Sequence, residues 1–167
     1  MAGNFDFTAQ GVSFVNSAGQ VTQEQIESVL PFHFDGKEFF VEFYLSYNGG
    51  IFLNGARFYR NKIHRIQKGG YTSVEIEGFY FIPRFEGERV PKLMSIPEMW
   101  RINKKSFKTL ELFSKAHFPF AADASGNNYW IDIETGKIKY IAMDSDGSEV
   151  EVAPSFSIFC RGIQPES

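Results

Sequence analysis

A single domain that mixes helices with antiparallel hairpin strands is the fold class this sequence predicts, on three observations. The stretch from Phe118 to Ile141 alternates apolar and polar residues around two glycine-containing turns. Aromatic residues recur at helical intervals between Glu38 and Tyr47. No Gly/Ser-rich or Pro-rich linker divides the 167 residues, a length that buries roughly 70 % of the unfolded surface in one core. The 19 Phe, 7 Tyr and 2 Trp supply large apolar anchors, each burying on the order of 150–250 Å², and argue against disorder.

In the amino-terminal third, Thr22 and Gln25 hold capping-box spacing ahead of Ile26, Val29 and Leu30, which share a face before Pro31 stops the helix. Asp35 and Glu38 repeat that spacing. Phe39, Phe40, Phe43, Tyr44 and Tyr47 then line one side, with Glu38, Glu42 and Ser46 on the other. Asn48-Gly49-Gly50 ends the run with residues that tolerate left-handed backbone. The aromatic content also suits a strand, and the helical period decides for helix.

From Ile51 the pattern turns to sheet. Ile51-Phe52-Leu53 and Ala56-Arg57-Phe58-Tyr59 are short strands, Gly69-Gly70 is a break, and Val74 to Glu77 with Phe79 to Ile82 is a strand interrupted or turned at Gly78. Glu86 to Lys92 is polar loop. Ser95-Ile96-Pro97-Glu98 opens a helix carrying Met99, Trp100 and Ile102, followed by the basic run Lys104-Lys105-Ser106-Phe107-Lys108. Phe118 to Ala121 is apolar, Ser125-Gly126-Asn127 turns, and Tyr129, Ile131 and Ile133 alternate with Asn128 and Asp132 on a strand with one wet face. Glu134-Thr135-Gly136 reverses the chain into Ile138, Tyr140 and Ile141. Asp146-Gly147 turns into Val150 and Val152, and Pro154 starts a closing helix through Phe159.

This ordered series resembles the SUKH superfamily: a helix ending in Leu30-Pro31, a second closing on Tyr47-Asn48-Gly49-Gly50, the FPFAADASGN segment into YWIDI, the TGKIKYI return, and the final Ala153 to Phe159. That group includes fungal cell-wall-assembly regulators and bacterial immunity proteins that neutralise polymorphic toxins. The resemblance lies in order and spacing, and runs from about Thr22 to Gly162. The first twenty residues and the insert Glu86 to Lys92 have no counterpart, so partner choice can reside there. The resemblance implies one α+β domain over 1–167, with its core at about 22–162 and a mostly antiparallel sheet flanked by helices. It implies a domain that binds another protein and is not an enzyme.

The chain opens without a basic leader or an apolar h-region, and no stretch approaches the ~20 apolar residues of a membrane span, which predicts a soluble protein. A lone Cys160 forms neither an intramolecular disulfide nor a metal cage and suits the cytoplasm. Net charge is −3, unevenly spread: residues 1–56 carry −5, 57–115 carry +7 and 116–167 carry −5. Such blocks either form opposite-signed faces or interleave in space.

Chemistry is sparse. His33, His64 and His117 stand in no ligand spacing, and Asp144-Ser145-Asp146-Gly147 lacks the glycine and glutamate positions of a calcium loop. Cys160 has no neighbouring histidine, no serine sits in a nucleophile elbow, and the glycine pairs fit no phosphate loop. Asp123, Asp132 and Glu134 look like turn and wet-face residues, not a hydrolase pair. No cofactor or metal is expected.

The expected function is therefore non-catalytic capture of a toxin domain, one of the nuclease kind in particular, by a bacterial immunity protein. Its phosphate-mimicking face would be Asp123, Asp132, Glu134, Asp144 and Asp146, with Tyr129 or Trp130 as anchors, although core packing is the favoured reading of Trp130. Gly49, Gly50, Gly126 and Gly136 serve the backbone at turns. The alternative is a housekeeping scaffolding module akin to the fungal regulators. A nucleic-acid-binding domain is a further alternative, built on Arg57, Phe58, Tyr59, Arg60, Lys62, His64, Arg65 and Lys68, against which the acidic pI of about 5.6 argues.

Overall fold

Eight strands and five helices make up the described residues of the computed structural model, which are 5–15, 18–59, 73–106, 108–142 and 149–166. Asp144, Asp146 and the Asp146-Gly147 turn lie outside the described residues. So do Gly69-Gly70 and, of the basic run, Arg60, Lys62, His64, Arg65 and Lys68.

Helix α1 (Gln23–Val29) starts at a complete capping box: Thr22 accepts the Gln25 N–H and the Gln25 side chain accepts the Thr22 N–H. Helix α2 (Lys37–Ser46) follows, but the Asp35/Glu38 spacing does not cap it. The cap is Gly36, at φ +85° and with no side-chain bond, because the left-handed entry excludes Asp35 from that position. Phe39, Phe40, Val41, Phe43 and Tyr44 bury the inner side of α2.

The sheet runs in the order β1 (Phe14–Val15), β2 (Gly50–Tyr59), β3 (Ser73–Phe79), β4 (His117–Ala122), β5 (Asn128–Asp132), β6 (Ile138–Ile141) and β7 (Glu149–Ala153). All of these pairings are antiparallel. The two short strands expected after Gly50 are one strand, whose register shifts between Ile51 and Ala56, around Gly55. Its outer edge is shared: β1 pairs its first half, and β8 (Ile163–Pro165) pairs Ala56 to Phe58. Gly78 does not break β3. It is paired to Ile51 on one side and Ala122 on the other, and a Cβ there would sit 2.5 Å from the Gly50 carbonyl oxygen.

Helix α3 (Ile96–Ser106) opens where expected, its first turn capped by Ser95, whose Oγ accepts the Glu98 N–H at 3.2 Å. A second helix, α4 (Lys108–Ala116), continues the layer where no element is assigned above, although its amphipathic period is present in the sequence, with Leu110 and Ser114 buried one turn apart. Trp100 Nε1 donates to the Ser114 carbonyl at 2.8 Å and joins the two. The closing helix α5 (Phe156–Arg161) begins at Phe156 and not at Pro154, because Ser155 takes extended backbone and its side chain accepts the Ile158 N–H.

The 128–132 strand was expected to have one wet face; every residue of β5 is buried. Tyr129 and Ile131 face the main core with Phe120 and Phe159, while Trp130 packs with Leu110 and Phe113 of α4 on the opposite side. The unforeseen α4 is what dries that second face. The amino terminus also enters the core through Phe7 and Val12, and Gln10 Nε2 fastens it by donating to the Cys160 and Ile163 carbonyls.

Phe156 stands at the centre of the main core, its ring centroid 5.0–6.1 Å from those of Phe39, Phe40, Phe43, Phe79 and Phe120. Phe156→Ala should therefore cost about 3–5 kcal/mol in chemical denaturation, the range for a large ring removed from a packed core. Gly136 and Gly126 give a sharper test. Both have positive φ, but a Cβ at Gly136 lands on the Asp35 carbonyl oxygen, whereas nothing lies within 4 Å at Gly126. Gly126→Val should cost about 1–2 kcal/mol, the left-handed penalty alone, and Gly136→Val clearly more. Equal losses would show that the β5–β6 turn does not press on the loop before α2.

Candidate functional site

The β4–β5 and β5–β6 turns carry the carboxylates singled out from sequence, and the fold turns two of them inward. Asp123 accepts the Ser125 N–H, the Asn127 N–H, the Asn127 side-chain amide and, at 2.6 Å, the Tyr140 hydroxyl. Asp132 closes the next turn by accepting the Glu134 and Thr135 N–H groups, and it receives Lys139 Nζ at 3.0 Å. Each is only 9 % exposed. Their oxygens are spent on holding turns, so neither offers a free charge to a partner. Glu134 alone of this group is exposed.

Tyr129 and Trp130 are likewise internal, at 0 % and 1 % exposure. The Tyr129 hydroxyl donates to the Glu75 carbonyl, and Trp130 fills the space under α4. Neither can anchor a partner on this surface. Asn128, just before them on β5, accepts from the Tyr80 hydroxyl and donates to Asn103 of α3 at 3.1 Å; Asn103 in turn donates to the Met99 carbonyl. This buried chain of amides clamps the sheet to the helix layer.

The structure brings together a cluster that spacing could not reveal. His117 stacks on Phe113 at 3.7 Å between ring centroids, with Nδ1 2.8 Å from the Phe113 carbonyl and Nε2 3.0 Å from Lys139 Nζ. Lys139 has only protons to offer, so Nε2 is the acceptor and Nδ1–H the donor. Asp132 Oδ2 lies 3.5 Å from the same Nε2, and Glu149 is 3.8 Å from Lys139. Burial, the largest influence, and the Lys139 ammonium hold His117 below the ordinary imidazole pKa, against the Phe113 carbonyl and the Asp132 and Glu149 carboxylates. For Asp132 burial acts upward, yet the bonds from Lys139 and from the Glu134 and Thr135 N–H groups hold it below the usual carboxylate range. With Phe113 as its lid and its polar atoms mutually engaged, the cluster is built to hold β4, β5 and β6 together. Burial also pushes the Cys160 thiol well up, which keeps it protonated and inert.

Charge that is free to act lies on the helices. Glu24 on α1 and Glu38 and Glu42 on α2 are exposed and in no ion pair among the described residues. Lys37, the sole Lys or Arg before Arg57, does not neutralise them: its ammonium turns inward to Glu27 and to the Leu30 and Phe32 carbonyls. The signal for this face was present in the sequence as the polar side of the aromatic helix. On α3 and α4 the sign reverses, with Arg101, Lys104, Lys105, Lys108 and Lys115 all exposed. Among the described residues no three His, Cys, Asp or Glu side chains gather to hold a metal, and no helix is long and apolar enough to cross a membrane.

His117 yields a pH prediction. Because the folded state favours neutral imidazole, its contribution is complete above about pH 6.5 and is lost as pH falls through the lower folded value. Asp132 adds a further loss at more acid pH. Melting temperature should thus fall on acidification below about pH 6.5, and His117→Gln, which cannot titrate, should flatten the upper part of that decline. Parallel curves for parent and variant would acquit His117.

The family model described as SMI1 / KNR4 family (SUKH-1) matches residues 24–162, from the first turn of α1 to the end of α5. No curated protein and no solved structure matches the chain. Since the matched region takes in most of the sequence, and its helices flank one mostly antiparallel sheet, the chain belongs to the SMI1 / KNR4 family (SUKH-1).

Proposed function

We propose that this protein is a non-catalytic, cytoplasmic immunity protein that captures a toxin domain and silences it by stoichiometric binding. SUKH domains mediate protein–protein interaction, and the superfamily includes toxin-immunity proteins. The observation that carries the proposal is the set of unpaired carboxylates on α1 and α2, whose one Lys or Arg, Lys37, is tied inward.

The capture face differs from the one expected at the β4–β6 turns. Glu38 and Glu42 lie one helical turn apart on α2 and share a surface depression with Glu27 of α1. Asp35 continues it, and the turn holding exposed Glu134 abuts Asp35 through Gly136. A toxin that acts on nucleic acid presents a basic cleft, and carboxylates arranged this way stand in for phosphates there. Blocking needs an interface of about 1,600 Å² in total, an area within reach of two adjacent helices and a turn.

The test is co-expression with the product of the reading frame next to the gene for this chain, expected to be a toxin-like domain, followed by binding kinetics. Protection of the host and a stable one-to-one complex are expected. Glu38→Lys/Glu42→Lys should slow association about tenfold or more at low salt, with the gap closing as salt rises. Because both side chains are exposed, melting temperature should move little. An unchanged association rate would reject electrostatic capture, and absence of any complex would reject immunity itself.

A further inference from the structure

We infer that this chain associates head to tail with copies of itself, the Leu112 ridge of α4 in one molecule seating in the acidic depression between α1 and α2 of the next. Leu112 is 70 % exposed, the most of any large hydrophobic side chain among the described residues, although its helix buries Leu110 and Ser114. Lys108 and Lys115 stand one turn before and one turn after it, so the outer strip of α4 runs lysine, leucine, lysine. Arg101, Lys104 and Lys105 extend this surface on α3. Those five cations face only Glu98 and Glu111 on the same two helices, which leaves the ridge clearly positive.

The depression has the opposite character. Its volume is about 680 Å³, ample for a leucine side chain, and Val41 and half-buried Leu45 supply an apolar wall. Four carboxylates line it, those of Glu27, Asp35, Glu38 and Glu42, against the ammonium of Lys37 and the imidazole of His33. Glu27 takes Lys37 at 3.0 Å, and His33 lies 4.0 Å from Asp35. Glu38 and Glu42 are thus left with no cation among the described residues. Leucine set against Val41 and Leu45 brings its two lysines to those carboxylates, their methylene stems lying along the apolar wall.

One molecule therefore carries both halves of a complementary pair, and the two are always present at equal concentration. Helices α2 and α4 cover opposite faces of the sheet: Phe43 of α2 packs on Phe79 and Phe156, whereas Leu110 and Phe113 of α4 close over Trp130. The halves cannot meet within a molecule, nor can two molecules exchange both at once, so association continues past the dimer. Nucleic acid is the poorer occupant of the ridge. It offers nothing to set against Leu112, and Trp100 and Phe113 are half-buried and engaged, so no described ring there is free for a base to stack on.

The experiment is sedimentation equilibrium of the full-length chain over a series of protein and salt concentrations. Weight-average mass should climb past that of a dimer at low salt and return to the monomer at high salt. Leu112→Ala should weaken association about tenfold. Lys108→Glu/Lys115→Glu and Glu38→Lys/Glu42→Lys should each be monomeric alone, and a one-to-one mixture of the two should regain a complex, because the ridge of the second meets the depression of the first. All the replaced side chains are exposed, so melting curves should match the parent. The acidic face is also the one assigned to toxin capture, but Lys108→Glu/Lys115→Glu leaves it intact. That variant should stay monomeric and still bind toxin, so either idea can fail without the other. A monomer at every concentration, a species that stops at two, indifference to salt or to Leu112→Ala, a mixture that stays monomeric, or a ridge that binds a single-stranded oligonucleotide more tightly than a second copy would each overturn the inference.

Discussion

Strand β5 is buried on both faces, and most of what this protein can present to another molecule follows from that constraint. A strand dried by an aromatic core on one side and by α4 on the other has no water for its polar groups. Each depends on a partner inside the fold, and among the buried side-chain polar atoms of the described residues only the Trp130 Nε1–H is left without one. Asn128 pairs with Tyr80 and Asn103, Asp132 with Lys139 and two backbone N–H groups, and Asp123, at the preceding turn, with Asn127 and Tyr140. The polar atoms that look most functional in the sequence are therefore the ones consumed in construction.

The same constraint explains the layout of the rest. With the middle of the sheet sealed, solvent meets mainly helices and turns, and there charge is sorted by sign. Acidic side chains line α1 and α2, and basic ones line α3 and α4. Part of that sorting serves the helices themselves: Glu24 and Glu38 stand in first turns, and Lys104 and Lys105 in a last turn, where the backbone dipole favours them. Arg101 and Glu42 lie away from those ends and owe nothing to the dipole.

A rigid core under two differently charged helical faces suits a binding module. The aromatic cluster around Phe156 fixes α2 and α5 against the sheet, while the amide chain through Asn128 fixes α3. Neither surface has to be ordered when a partner arrives, which conserves binding energy for the contact itself.

Local signals were legible wherever a few neighbouring residues settle the backbone. The Thr22/Gln25 capping box, the aromatic period of α2, the start of α3 at Ser95, and the turns at Gly126 and Gly136 were all written in short stretches, because caps, periods and positive φ act over one or two turns of chain. The acidic side of α2 was visible for the same reason. Invisible were matters settled by segments distant in sequence: that α4 would cover Trp130, that β8 would complete the edge of β2, that Lys37 would turn inward, and that His117, Asp132 and Lys139 would meet. Alternation in a strand shows that two faces differ, but whether the second face is wet depends on what else packs there. The sequence by itself determined α1 to α3, the hairpins of β4 to β6 and the family; only tertiary packing decided which charges were spent inside and which were left exposed, because burial belongs to the assembled layers and not to any one strand.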